Sequence, residues 1–516
     1  MYLVKFNKIF NVKKLYFGVM MSNNNKWGSN LSFVLAMIGS AVGLGNIWRY
    51  PYVLYYNGGG AFYIPYIFTI LVLGLPFLIL EYGVGYHFSS SFAKAIKSIN
   101  AKCEYLGWFL PVAVFIIMTY YSAILGWDGI YVILSFFKGW GTDPNAFFNT
   151  SLLQVSSSAN GLLTFIPVIG ITMLIGWGLV WSISHRDLEA GLGKVSKILV
   201  PLLFIIMIFI VVSSLMLPGA SIGLSELYKP DWASLFDFGI WLGAFGQIVF
   251  SLSLGMSIAF TYASYTQNNT DLITNTFTVA FANVLFENFA ALGVFSILGY
   301  MSLQTGTAVE QLVTQGAGLI FIVYPTAFNA LGTWASILGP MFFIAVYIAG
   351  ITSILSTIEP LSYSIQDKFG LTRKRTMTIL CIVGAIVSML FATAYGEFLL
   401  DSVDTIINQG SIVFGVIVEC IVFAWIFKAE NIIDILNKNS KTIKIDHKWL
   451  FIVKYFLPII LSIVWLGGLV DLYYGETTAS FISMVVTMAV LVIATIVFTR
   501  LPAKNPEWEE SAKRFL

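Results

Sequence analysis

The residues best placed for chemistry lie in Gly39–Pro51, GSAVGLGNIWRYP, inside an apolar segment that begins at Leu31 and runs past Tyr50. Gly43 and Gly45 stand two apart where a membrane helix would be at mid-depth. Glycine holds a helix poorly and tolerates unusual backbone angles. A helix interrupted there leaves carbonyl oxygens and amide hydrogens without helical partners; the carbonyls favour a cation, and the restarted N-terminus favours an anionic group. Gly39, Ala41 and Val42 can supply carbonyls and Asn46 a side-chain oxygen, a neutral set that suits sodium. Arg49 follows before any loop signal, and a cation in lipid is costly unless it lines a cavity. The other reading is a glycine-softened packing face with a snorkelling arginine. A second small, polar interruption occurs at Ser251–Met256, SLSLGM, within an uncharged run over 238–270. Paired interruptions in two halves of a chain are a pointer to a transporter binding site.

Other residues fit the same chemistry. Thr352 and Ser353, in AGITS, place two hydroxyls deep in an apolar helix, where bonding to their own helix carbonyls is the alternative. Asn283 and Glu287 lie four apart on one helix face. Tyr120 and Tyr121 can aim a hydroxyl at a ligand carboxylate, or can simply pack. Arg49 with Asp404 or Asp401 suggests an outer gate, and Asp367 an inner one.

These positions need a membrane bundle to hold them. Of the 516 residues 58% are hydrophobic and 10% charged, a polytopic membrane composition rather than that of a soluble globule. Neither a net charge of +2 nor any basic, aromatic-interleaved stripe points to nucleic acid. Cys103, Cys381 and Cys420 are far apart, and His87, His185 and His447 sit at segment ends or loops, so neither a disulfide framework nor metal-ligand spacing is evident. The glycines of GVGYH (83–87) and GLGN (43–46) follow no strand and precede no Gly-Lys-Ser/Thr, which disfavours a nucleotide-driven pump. No hydrolase or kinase signature occurs, and neither an enzyme nor an organic cofactor is expected.

Hydropathy places about twelve helices near 31–54, 61–86, 106–137, 161–182, 190–216, 239–266, 273–302, 336–366, 374–394, 399–428, 450–471 and 480–500. The expected class is therefore an all-α polytopic membrane protein. Residues 1–26 form a basic lead-in without a signal-peptide core, and 501–516 a tail. Lys and Arg cluster in alternate loops and at both ends, which predicts two cytoplasmic termini. Residues 27–216 (helices one to five) and 239–428 (helices six to ten) each begin with an interrupted helix and carry a carboxylate, Glu81 or Glu287, on the second. Five helices per half predict a five-plus-five inverted repeat, with 450–500 adding two more. The hydrophobic connection from Met301 to Trp334 contains helix-like pieces around Val309 and Phe321, either a lid over an outer vestibule or a surface pair packed for stability.

The strings WGSNLSFVLAMIGSAVGLGNIWRYP, NGGGAFYIPY, GLPFLILEYGVG, GQIVFSLSLG, TYASY and AGITS together give the chain a specific likeness. Over nearly all of 27–500 it resembles the neurotransmitter:sodium symporter family, and within it the bacterial amino-acid transporters. The resemblance implies a two-sodium symporter of the plasma membrane working by alternating access, with an amino acid and the lipid bilayer as partners. It implies one sodium site at Ala41, Asn46, Ser251, Asn283 and the substrate carboxylate, and another at Gly39, Val42, Ala349, Thr352 and Ser353. It implies a substrate pocket at Ala41, Gly45, Ile117, Tyr121, Phe250, Ser251, Ser253, Met256, Ser353 and Thr357. Phe250 becomes the lid, Arg49 and Asp404 an outer ion pair, and Tyr265 and Asp367 parts of the inner gate. Gly191 and Pro201 keep the family's spacing in helix five, where unwinding wets the inner release path. The family's basic residue that latches to the aspartate here numbered 367 is replaced by Asn24, with Lys26 nearby as a substitute.

Two specificities follow from the resemblance. The monoamine branch has an aspartate where Gly43 stands, so this substrate is expected to keep its own carboxylate. The uncharged wall of Ile117, Ile124, Phe250, Met256 and Thr357 then favours a neutral, apolar or aromatic side chain. Chloride-dependent relatives hold the anion among positions matching Tyr66, Gln247, Ser251, Asn283 and Glu287, the last being serine in those proteins. Glu287 brings its own negative charge, so chloride independence is expected. A passive channel or amino-acid sensor on the same scaffold is the alternative function.

Overall fold

The computed structural model describes residues 26–156, 158–475 and 477–511. Among them, ten helices are long and apolar enough to cross a bilayer, and two bent pairs raise the number to as many as 12. The first bent pair is α1, with halves α1a (Asn30–Ala41) and α1b (Leu44–Tyr56) at 50°. There follow α2 (Gly59–Phe88), α3 (Ala101–Leu134), α4 (Pro167–Ser184) and α5 (Glu189–Leu215). The sixth span comprises α6a (Phe238–Ser251), bent by 120° from the helix before it, and α6b (Ile258–Ser264). The remainder are α7 (Leu272–Thr305), α8 (Gly332–Phe369), α9 (Arg373–Phe391), α10 (Gly396–Ile426), α11 (His447–Tyr474) and α12 (Thr478–Arg500). The chain is a multi-pass membrane protein.

The two breaks have different local causes. Ser29 caps α1a through the Ser32 amide, and the helix runs to Ala41 before Val42 and Gly43 leave helical geometry. The Asn46 side-chain oxygen then accepts from the Gly43 amide at 3.0 Å and restarts the helix as a cap would. In α6 the chain is irregular over 252–257, with Ser253, Gly255 and Ser257 all left-handed (φ +53°, +67° and +54°). Left-handed serines are uncommon and carry strain. At Gly255 no side chain fits at all, since a Cβ there would lie 2.3 Å from Val416 Cγ2 of α10.

Burial grades outward from these breaks. The most apolar window of α3 is 83% buried, those of α11 and α12 only 22% each, so α3 is central and the last two helices present broad lipid-facing sides. α1a packs closely on its neighbours: a Cβ on Gly39 would lie 2.9 Å from Val200 of α5 and 3.3 Å from Thr352 Cβ of α8.

Several boundaries differ from the hydropathy reading. α4 begins at Pro167 rather than near 161, because the preceding chain is held extended: Ile166 N donates to Ala392 O, and Phe165 bridges to Thr393. The π-helical turns at Ile70–Gly74, Glu189–Gly193, Ile406–Ile412 and Cys420–Ile426 have no hydropathy signature. The Met301–Trp334 connection does contain helices, Val309–Leu312 and Leu319–Ala330. It folds back into the bundle, with Phe321 among Trp127, Tyr131, Phe148 and Phe343.

At the opposite end Trp27 and the helix Pro506–Ser511 each dock on the bundle. Trp27 is buried against Tyr262 and Tyr265 of α6b. Pro506–Ser511 docks through Trp508, fully buried, whose indole donates to Glu104 at 3.3 Å. Lys97 and Lys368 also reach Glu104, at 3.1 and 2.7 Å. Of the expected lead-in over 1–26, all but Lys26 lies outside the described residues.

Candidate functional site

A cavity of about 690 Å³ lies between the two helix breaks and continues to Gln315–Gly318 of the folded-back connection and to α10. The ten residues assigned to substrate all line it: Ala41 and Gly45 from α1, Ile117 and Tyr121 from α3, Phe250, Ser251, Ser253 and Met256 from α6, Ser353 and Thr357 from α8. The α1 and α6 breaks are stitched together where Ser253 Oγ donates to Ser40 O at 3.2 Å. Open space surrounds Gly45, where an added Cβ meets nothing within 4 Å. Tyr121 Oη accepts from the Leu44 amide at 3.4 Å, which holds the hydroxyl beside the α1b N-terminus.

Behind the cavity floor lies a fully buried polar cluster. Asn46 Nδ2 donates to Asn283 Oδ1 at 2.8 Å and to Glu287 Oε2 at 3.4 Å. Glu287 also accepts from Gln247 at 3.1 Å and from the Tyr66 hydroxyl. The same end atom of the Asn283 amide lies 3.2 Å from the Ala41 carbonyl and 3.1 Å from the Ser251 carbonyl. With nitrogen inward it donates to those carbonyls; with oxygen inward it completes a cluster of three oxygens of the kind that a small cation draws together. The orientation compatible with the Asn46 contact is the oxygen-inward one.

A second group of oxygens sits where α1a crosses α8. Thr352 Oγ1 donates to Ile348 O and Ala349 O at 3.0 and 3.1 Å, and Ser353 Oγ to Ala349 O at 3.0 Å. Both hydroxyls thus bond back to their own helix. A hydroxyl that donates its hydrogen to a carbonyl hydrogen bond still keeps its lone pairs, so the back-bond leaves it able to face a cation. Gly39 packs directly on Thr352, which brings the α1a backbone to this group.

The gates depart from expectation. No ion pair joins Arg49 to Asp404 among the described residues. The Arg49 guanidinium lies over the Phe250 ring, 4.5 Å from its centroid. Asp404 instead accepts from the Tyr120 hydroxyl at 2.6 Å and from Asn408 at 2.7 Å. Arg49 and Asp404 both line the cavity, which is therefore open between them. At the Trp27 end Tyr265 is buried and packs on Tyr363, and its carbonyl accepts from the Trp27 amide at 3.0 Å. The substitute latch from Lys26 to Asp367 is not formed: Asp367 accepts from the Ser91 amide at 2.9 Å. Asn24 lies outside the described residues. α5 is helical through Pro201, without an unwound turn there.

Sequence reasoning passed over Asn408, which holds Asp404; Asn288, which accepts from both Tyr50 (2.6 Å) and Tyr63 (2.5 Å); and Glu189, which bonds to the start of α1a. Asn288 had a local signal, an amide adjoining Glu287 in an apolar helix. Asn408 stands four residues after Asp404, a spacing the sequence also offered, whereas Glu189 meets Gly28 and Ser32 only through the fold.

The sequence matches the profile of the Sodium:neurotransmitter symporter family over residues 24–150 and 140–503. An uncharacterized sodium-dependent transporter of Methanocaldococcus jannaschii is 38% identical over 85% of this chain and 89% of its own length. The sodium- and chloride-dependent GABA transporter ine of Drosophila melanogaster is 26% identical over 88% of this chain, which spans 51% of that longer protein. The crystal structure of MhsT in complex with L-phenylalanine superposes with a TM-score of 0.71 at 27% identity, covering 86% of this chain and 99% of that one. These relatives are transporters rather than enzymes, and the chain described here belongs to the sodium:neurotransmitter symporter family.

Proposed function

We propose that this protein imports a neutral amino acid with an apolar or aromatic side chain, together with two sodium ions, across the plasma membrane and without chloride. Both termini face the cytoplasm in this reading, as the basic residues near them favour. The observation that carries it is the cavity at the two helix breaks, open at Gly45 and walled by Ile117, Ile124, Phe250 and Met256. A substrate carboxylate fits beside Gly45, against the α1b N-terminus and Tyr121. A side chain directed at the apolar wall finds no fixed charge to pair with, so a charged one is rejected by desolvation. The MhsT complex with L-phenylalanine, a relative of the same fold, supports an aromatic side chain here.

Sodium is cargo in this reading. One ion takes Ala41, Asn46, Ser251 and Asn283 with the substrate carboxylate; the other takes Gly39, Val42, Ala349, Thr352 and Ser353. Ala41 and Val42 adjoin the same α1 break, so ion and substrate stabilise one arrangement of that backbone, and this shared segment couples them. Arg49 and Asp404 close over Phe250 once substrate is in place, and Tyr265 and Asp367 part when the opposite end opens. Glu287 supplies the negative charge behind the first ion. Radiolabelled amino acids tested in proteoliposomes decide the proposal. Uptake of phenylalanine or leucine against a gradient, driven by sodium and persisting in gluconate, is expected. Equilibration without accumulation would mark a passive channel, and preference for lysine or glutamate would refute the pocket assignment.

A further inference from the structure

At the Trp27 end, α1a is tied to the bundle by one carboxylate. Glu189, the first residue of α5, accepts the Gly28 amide on Oε2 at 2.9 Å. Its Oε1 accepts the Ser32 hydroxyl at 2.9 Å and the Lys197 ammonium at 2.6 Å. Gly28 and Ser32 flank the start of α1a, and Lys197 stands two turns along α5. The fit is close: a Cβ on Gly28 would lie 2.7 Å from Glu189 Cδ, and one on Gly193 2.6 Å from Oε2.

α1a itself, NLSFVLAMIGSA, holds no charged residue, so Glu189 gives it a charge-assisted attachment at this end. Its remaining polar attachments here are neutral. Trp27 donates to Tyr265 O and, through its indole, to Tyr262 O at 2.8 Å; Gln267 donates to Trp27 O at 3.0 Å; Asn30 pairs with Asn275. The neutral ties reach α6b, the turn after it and α7, whereas Glu189 ties α1a to α5. Further along α1a, Gly39 is wedged between Val200 of α5 and Thr352 of α8. A path from the cavity to the Trp27 end along this interface requires α1a to part from α5 and α8. That motion breaks both Glu189 bonds to the α1a start while the Lys197 pair within α5 can persist. The Glu189 and Lys197 side chains are 33% and 35% exposed, so water can take over the carboxylate when the bonds open, and the tie is reversible.

We infer that Glu189 is the inner latch of this transporter, a positioning residue that holds the first half of α1 against α5 until the ions and substrate are released. The inference rests on the alternating-access reading above. It also assigns the latch to a carboxylate on α5 in a chain whose Asp367 is occupied by the Ser91 amide rather than by Lys26.

The test uses the full chain with Cys103, Cys381 and Cys420 replaced by alanine and Tyr265→Cys as reporter, reconstituted in nanodiscs. The rate of thiol modification is measured with and without sodium, and sodium-driven uptake is measured on the same cysteine-free background without the reporter. Glu189→Gln keeps the shape and removes the charge; Ser32→Ala removes the hydroxyl bond to Glu189, together with the contact to the Ser29 hydroxyl, and leaves α5 intact. Both are expected to raise the sodium-free modification rate, Glu189→Gln by about fivefold, the scale of a partly exposed charge-assisted tie. Sodium should still slow modification in both variants, which identifies a shifted equilibrium in a folded protein. Asp187→Ala, a nearby carboxylate, should leave the rate unchanged. Equal rates for the parent and Glu189→Gln would overturn the latch, as would a rise that sodium does not reverse. Lack of sodium-driven uptake by the parent refutes the symport reading itself, whereas normal uptake with equal modification rates refutes only the latch.

Discussion

Replacing Glu287 by serine separates the charge of this residue from its packing. The carboxylate is fully buried and accepts from Tyr66, Gln247 and Asn46, the last at 3.4 Å. Asn46 is also a proposed sodium ligand, so the carboxylate stands one amide away from the ion, a separation of about 7 Å once a metal–oxygen bond is added. At that separation and an effective dielectric of about 20, the attraction is roughly 2.4 kcal/mol, or about 50-fold in sodium affinity. Glu287→Ser removes the charge and leaves the Tyr66 hydroxyl and two amide groups around a vacated volume. Those donors suit an anion, so chloride should restore what the carboxylate supplied. The assay is sodium-dependent uptake in proteoliposomes, wild type against Glu287→Ser, in chloride and in gluconate. Wild type should transport equally in both; the variant should lose most uptake in gluconate, through a raised sodium requirement, and recover it in chloride. Wild-type transport that stops without chloride would falsify the argument. A variant with unchanged sodium affinity in gluconate would leave Glu287 a hydrogen-bond acceptor and nothing more.

Three other outcomes test the site and its frame. Tyr121→Phe should weaken amino-acid uptake by roughly 1.5–3 kcal/mol, the worth of a hydrogen bond to a carboxylate, and decarboxylated amines should compete poorly with the parent amino acids in the same assay. Gly255→Ala places a methyl group into Val416 at a left-handed residue, so it should abolish sodium-dependent binding, measured by scintillation proximity, even where the purified protein remains monodisperse. Trp508→Ala empties a fully buried site beside Glu104, Lys97 and Lys368 and should lower stability by about 3–5 kcal/mol, read as a fall in melting temperature in detergent; an unchanged midpoint would mean that the tail contributes nothing to the fold.

What the sequence made legible were features written in contiguous residues. GSAVGLGNIWRYP predicts a break, and the chain leaves helical geometry at Val42 and Gly43. The second interruption is legible in SLSLGM, though the left-handed serines that shape it are not, since serine has no such preference by itself. The hydroxyls of Thr352 and Ser353 bond back along α8, as serine and threonine in apolar helices ordinarily do. Position is thus readable where a residue's type and its near neighbours decide it. The placement of Arg49 over Phe250 is not, because a guanidinium is drawn to an aromatic face and to a carboxylate alike, and only the fold decides between them. Glu189 and Gly28 are separated by 161 positions and carry no periodic signal, so only the packing of α5 on α1a brings them together.

In the proposed reading one segment, α1, serves both faces of the membrane, from the cavity mouth to the Trp27 end. Toward α10, Arg49 and Asp404 each have a partner that needs no closure, the Phe250 ring and the Tyr120–Asn408 pair. Neither charge is left buried alone while the site stands open, which keeps the penalty of an unpaired ion small. Toward Trp27 the contacts are mutual: backbone to backbone at Tyr265, indole to carbonyl at Tyr262, amide and hydroxyl to carboxylate at Glu189. Parting them strips several partners at once. α1a joins the two ends, with its start held at Glu189 and its last turns at the oxygens proposed for sodium. In the proposed reading a ligand that stabilises the Ala41–Val42 backbone therefore also stabilises the closed Trp27 end. Its loss from that backbone leaves only the neutral ties and one partly hydrated carboxylate to resist opening.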